Sequence, residues 1–388
     1  MARMAGAQGD DARERGARAA ADKALSAFRS RFWDPDGGLY VYAFNAGGEK
    51  VREVTPWPSF GLAWGLGGVE ETGRTLERLC RPDLLTDWGV RMMSSESRYF
   101  EPLNYNYGAV WPFLTGWMAA ALYRNGFPLQ GHSALKANVR HSFDNGLGSV
   151  TELFSGLRNI WPAEAVAHQG FSTGGVVLPL VKGLLGLEVD ASSRTLFFRP
   201  SFPGDWEEVS LEGVRAGGAS FDLEYKRGNN GIAVRIASRG GEGWTVVVQP
   251  TLGPAALIRE VRLNGAVIPF LDISSERAVR PEAKFSASAS DVLEFDIPPV
   301  VEILPPEIRS DVGAPSLGLR IESLRGDESH LEITVWGCAG GSYALPLKHG
   351  ERVRSIDGAA LGESGLKIEF PSGPRGKSVS RTIVLHLD

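Results

Sequence analysis

Between Asp11 and Leu185 the apolar residues recur at helical spacing, and beyond residue 188 they alternate with polar ones. Ala17, Ala21, Ala24, Leu25 and Phe28 fall on one stripe of an alanine-rich segment, which predicts an amphipathic helix over 11–31. Pro58 to Leu66 reads as a short helix and Glu70 to Leu79 as a longer one, split by Gly67 and Gly68. Pro112 suits the first turn of a helix from Val110 to Tyr123. Leu135, Val139 and Phe143 make an apolar seam on the next segment. The last helix is expected from Gly174 to Leu185, burying Val176, Val177, Leu180, Val181, Leu184 and Leu185 and stopping at Gly186.

After residue 188 the period is two, and strands are expected at 195–199, 207–211, 220–225, 232–236, 245–248 and 258–263. Arg227 to Gly231 and the pair Asn264-Gly265 carry hairpin-turn chemistry. Pro298-Pro299 and Pro305-Pro306 read as a linker, with more strands beyond it at 319–323, 331–336 and 382–387. The expected organisation is thus helical over 1–188, a β domain over 189–300, and a second β-rich domain or extension over 301–388.

Composition changes this picture only by exclusion. With 43% hydrophobic and 22% charged residues in 388, the chain is ordinary globular protein of two or three domains. The 41 basic residues against 46 acidic give a net charge of −5, which argues against nucleic acid as a partner. No run approaches the about 20 apolar residues of a membrane span, and the first 25 residues lack the apolar stretch of a signal peptide, so a soluble, cytoplasmic chain is expected. Cys80 and Cys338 lie far apart and suggest no disulfide, and the six histidines are scattered, so no metal is expected.

Aromatic residues are the unusual feature. Eight of the ten tryptophans precede residue 210, several beside proline or glycine, where their faces suit stacking on a sugar ring or simply core packing. Two loops gather chemistry. Residues 98–112, RYFEPLNYNYGAVWP, place carboxylate, amide, phenol and indole at the mouth of a helix. Residues 150–156, VTELFSG, carry Glu152 and are followed by Ala167-His-Gln-Gly-Phe-Ser172.

At these residues the chain resembles a known family. Tyr105-Asn-Tyr-Gly-Ala-Val-Trp-Pro112 is similar to the Tyr-x-Asn-Gly-x-Val-Trp-Pro signature of glycogen-debranching-type glycosidases, the amylo-α-1,6-glucosidase and six-hairpin group. The spacing from Glu152 to Phe171-Ser172 resembles the pattern that closes their catalytic toroid. Leu184 to Asp190, Leu196 to Pro200 and Gly204-Asp-Trp206 resemble the handover to their C-terminal β domain. The resemblance spans about residues 20–235.

It implies a fold class of a partial (α/α)6 toroid followed by a β-sandwich region, and an inverting glycoside hydrolase of α-linked oligo- or polysaccharide using two carboxyl groups, no cofactor and no metal. Glu152 matches the general base; Tyr105, Asn106 and Trp111, with Trp57, His168 and Gln169, would bind the sugar. The general acid belongs to the half of the toroid that precedes the matched part, and Glu53, Asp87, Glu96 and Glu101 are the local carboxylates that could stand in. Half a toroid would leave apolar helix faces for a partner, either a chain with the complementary half barrel or a second copy. Two other readings remain: a non-catalytic carbohydrate-binding remnant, and a polysaccharide lyase in which Tyr105 or His168 is the base and Asn106 and Arg98 neutralise a uronate.

Overall fold

The computed structural model describes residues 1–388 except 145, 309, 310 and 375. Seven α-helices are found among the described residues: α1 Ala2–Ala7, α2 Asp11–Ala27, α3 Ser59–Ala63, α4 Val69–Leu79, α5 Pro112–Arg124, α6 Pro128–His141 and α7 Gly170–Pro179.

Helix α5 is the axis of this half. Leu114, Met118, Ala119, Ala121, Leu122 and Tyr123 are all buried, so it is apolar on every side and must be wrapped. Helices α6 and α7 pack on it, and α3 meets it from a third direction. The crossing with α7 is close: a Cβ on Gly116 would overlap the backbone of Gly175. Asn138 of α6 ties the three together by donating to the carbonyls of Pro112 (2.7 Å) and Gly175 (3.1 Å).

The expected partial toroid is not what forms. A toroid needs long helices that alternate in a ring, each with one apolar stripe. Here α1 and α3 have six and five residues. The stripe of α2 is not covered, since none of its residues is buried. The described residues of 80–111 and 142–169 instead form turns, bridges and two-stranded pairs beside α5, because their Gly, Pro and aromatic residues interrupt any helical period.

The expected β-sandwich needs the same correction. A six-stranded antiparallel sheet runs in the order 266–268, 260–263, 290–296, 231–239, 219–228 and 208–216. The second sheet, 271–272, 281–286, 245–248, 195–198 and 187–190, is mixed, because 245–248 runs parallel to 195–198. The core between them, with Phe221, Val234, Phe295, Phe198 and Val246, continues without a break into Leu76, Leu79, Met118 and Leu122 of the helices. Two apolar faces closed only on each other would make a sandwich; here the helices share the closure.

Residues 302–387 build smaller sheets over a separate core that includes Ile321, Ile333, Val335, Leu366 and Ile383. Ion pairs tie this unit to α4 and the turn after it: Glu77 takes Arg325 at 2.6 Å, and Arg81 takes Glu322 at 2.8 Å, while Arg277, ahead of this unit, also meets Glu77 at 3.1 Å. Cys80 and Cys338 are both free. Among the described residues no helix is long and apolar enough to cross a membrane.

Candidate active site

The two loops read as chemically rich are adjacent because Val110 and Phe154 exchange both backbone hydrogen bonds, each 2.8 Å. Residues 150–152 also run beside 166–169: the amide of Glu152 donates to Val166 O (2.9 Å) and that of Gln169 to Val150 O (2.9 Å). Residue 152 thereby sits between the tyrosine-rich loop and the first turn of α7. Close approach is obligatory at one point, since a Cβ on Gly156 would overlap the Gly108 carbonyl.

Glu152 is the centre. Its Oε1 accepts from the Tyr105 hydroxyl (2.9 Å) and Gln169 Nε2 (3.4 Å), and its Oε2 from the Val166 amide (3.3 Å). Every one of these partners presents a donor to a carboxyl oxygen. The first turn of α7 adds its positive end, with Gln169 as N-cap and the Ser172 hydroxyl donating to the Glu152 carbonyl (3.4 Å). Partial burial raises the pKa of the Tyr105 phenol, and its hydrogen bond to Glu152 raises it further, so Tyr105 stays a donor. Trp111 fixes Tyr105 in turn: its indole N–H donates to Tyr105 O (3.0 Å), and the two rings meet edge to face at 4.4 Å. Trp111 is itself the residue before α5 and is buried.

Of the residues singled out in the sequence, Glu152, Tyr105, Trp111 and Gln169 thus form one contact network. Asn106 is exposed in the turn beside them, its amide bonded to Asn104 Oδ1 (3.0 Å). His168 is exposed next to Gly146. Trp57 stands at the far end of an aromatic row, Trp57–Phe60–Phe113–Phe171, with ring centroids 5.5 to 5.6 Å apart. The sequence reading missed Phe60, Phe113 and Phe171 as the links of that row, because residues so far apart in the chain share no period. It also missed the Val166 amide, which has no side-chain signature.

Two of the four spare carboxylates, Asp87 and Glu101, are engaged elsewhere. Asp87 is fully buried against Arg320. Glu101 accepts from Asn104 (2.9 Å), and the Glu96 backbone caps onto Ser94 (3.2 Å). Glu53 lies by Tyr42, whose phenol is pushed up by burial, then by Glu53 and by Tyr107 of the 98–112 loop.

With this geometry in view, the chain can be set against known proteins. Residues 1–161, which include Glu152, match the Mannosylglycerate hydrolase MGH1-like glycoside hydrolase domain. That segment is similar to glycoside hydrolase sequence. The match supports the glycosidase class read from the motifs, and its name is that of a mannosylglycerate hydrolase rather than a glycogen-debranching enzyme. No curated protein matches the chain.

Among solved structures, a sialidase is similar at 13% identity with a TM-score of 0.53 over 61% of this chain and 24% of its own. An α-L-rhamnosidase from Dictyoglumus thermophilum gives 14% identity and a TM-score of 0.45, covering 76% of this chain and 30% of its own. A GH63 mannosylglycerate hydrolase from Thermus thermophilus, in complex with Tris, gives 17% identity and a TM-score of 0.31, covering 38% and 34%. The likeness to the sialidase is one of fold. The chain spans about a quarter to a third of the length of these three structures.

Proposed function

We propose that the Glu152 site hydrolyses an α-linked glycoside by inversion, with Glu152 as the general base that activates water. The observation carrying this reading is the donor-only environment of the Glu152 carboxylate, bonded by Tyr105, Gln169 and the Val166 amide. A base must take a proton from water, and these three donors hold its carboxyl oxygens in one place. Its position at the edge of an aromatic row supplies apolar faces on which pyranose rings stack.

Inversion also needs a carboxylic acid about 6.5–9.5 Å from the base. Among the described residues, the hydrogen-bond partners of Glu152 include no second carboxylate. Following the family resemblance, we assign the acid to a partner, either a chain supplying complementary structure or a second copy of this one. Without it, turnover by the isolated chain is lower by about two to four orders of magnitude.

The substrates we propose first are α-glucans and α-linked oligosaccharides, after the Tyr-Asn-Tyr-Gly-Ala-Val-Trp-Pro loop. The name of the matched domain favours mannosylglycerate as the second class. The test is release of sugar from α-glucans, α-linked disaccharides and mannosylglycerate by the purified chain, with Glu152→Gln beside it. Turnover lost in the variant supports the assignment; turnover that survives overturns it. Sugar binding without turnover in the native chain identifies a binding remnant.

A further inference from the structure

Residues 313–320 of the C-terminal unit reach the back of the Glu152 loop and hold it at two points. At the first, fully buried Asp87 accepts from the amides of Leu317 (2.8 Å) and Gly318 (3.0 Å), from the Ser316 hydroxyl (3.1 Å) and from the Arg320 guanidinium. Its neighbour Trp88 is equally buried; the indole N–H donates to Ser155 O (2.9 Å), three residues beyond Glu152. The Trp88 carbonyl accepts from His141 Nε2 (2.8 Å), and the His141 ring stacks on Phe154 at 4.0 Å. At the second point Asn159 N donates to Ala314 O and Gly313 N to Asn159 O, both 2.9 Å, while Arg158 donates to Gly313 O (3.0 Å).

We propose that residues 313–320 are a strap by which the C-terminal unit sets the position of Glu152, with Asp87 and Arg320 as positioning residues. The catalytic consequence rests on Glu152 being the general base; the mechanical one does not. Glu152 meets donors from two loops, Tyr105 and Gln169, and a displacement of about 1 Å at such a site costs about 100-fold in rate. A buried carboxylate held by four groups of another unit is a rigid anchor, because leaving any of them unpaired exposes the full cost of their burial.

The experiment uses the full chain with Gly313→Pro, which removes the amide bonded to Asn159 and cannot adopt the φ of +81° at this position. Asp87→Asn is run beside it. Three readouts are taken: amide hydrogen exchange over 150–161 against α5, the titration of the Tyr105 phenol, and kcat against KM. The strap predicts faster exchange over 150–161 with α5 unchanged, a Tyr105 midpoint shifted down as its carboxylate partner moves away, and a kcat lowered about 10- to 100-fold with KM held. Unchanged exchange and an unchanged Tyr105 midpoint in Gly313→Pro overturn the proposal, as does a kcat equal to that of the native chain. If Asp87→Asn loosens the whole molecule, Gly313→Pro decides. If the native chain has no turnover, as the isolated chain without its acid would show, exchange and the Tyr105 titration decide the strap; turnover that survives Glu152→Gln is what overturns the general-base reading.

Discussion

The Tyr105 hydroxyl lies 2.9 Å from Glu152 Oε1, a hydrogen bond between residues 47 positions apart. It joins the tyrosine-rich loop to the loop that precedes α7. Burial first, and then the Glu152 carboxylate, hold the phenol above its ordinary pKa. Replacing the carboxylate by an amide removes the second cause and leaves the first. Glu152→Gln is therefore expected to lower the Tyr105 midpoint without returning it fully to the free-phenol value. Ultraviolet difference titration measures it, with Tyr105→Phe assigning the signal; an unchanged midpoint counts against the contact.

Trp57 is expected to act on binding and little on stability. It is 39% exposed and stacks on Phe60 at 5.5 Å, so Trp57→Ala removes an aromatic contact of about 0.5–1.5 kcal/mol and opens no sealed cavity. A tryptophan used for sugar stacking should show a KM raised about tenfold with kcat retained. Denaturant unfolding and steady-state kinetics separate the two effects.

Acid should open the region behind the site. Burial alone raises the Asp87 carboxyl, but Arg320 and the amides of Gly318 and Leu317 outweigh it and hold it below its usual range. Asp144 is also lowered, first by its hydrogen bond to His141 (3.0 Å). A carboxyl depressed in the folded state stabilises above its unfolded value of about 3.9, and that contribution is lost as pH falls through the folded value. Protection of the Trp88 and Ser155 region against exchange is expected to fall below about pH 4 in the native chain, whereas in Asp87→Asn it is already reduced at neutral pH and the Asp87 part of that pH dependence is gone. Stability that does not change across that window contradicts the linkage.

The α5–α7 crossing gives a prediction whose sign opposes helix propensity. Gly175→Ala in an exposed helix stabilises by about 0.8–1.0 kcal/mol. Here a Cβ on Gly175 would press on the Pro112 carbonyl and its neighbours, so about 1–3 kcal/mol of destabilisation is expected instead. A lower midpoint in denaturant unfolding checks it, with Gly174→Ala, which has open space, as the control.

Hydrophobic period located much of the local structure. The helix expected over Val110–Tyr123 runs Pro112–Arg124, the strand at 245–248 is found as read, and Asn264-Gly265 turns a hairpin with φ values of 51° and 84°. These are short-range matters, settled by proline at a first turn, by β-branched runs and by residues that tolerate positive φ. The motif likewise put Glu152, Tyr105, Trp111 and Gln169 on the candidate list before any geometry. The ring of helices implied by the same motif did not follow, because closure depends on what each apolar face meets. The faces of α5 meet α3, α6, α7 and the segments around them, whereas the stripe of α2 meets nothing that buries it. Asp87 shows the same division. Its sequence allowed a spare acid, and only the chain that folds back from 229 or more residues away, bringing Ser316, Leu317, Gly318 and Arg320, makes it a buried anchor. Local pattern is written in neighbouring residues; the partners that decide burial and charge come from distant ones, and only the folded chain brings them into contact.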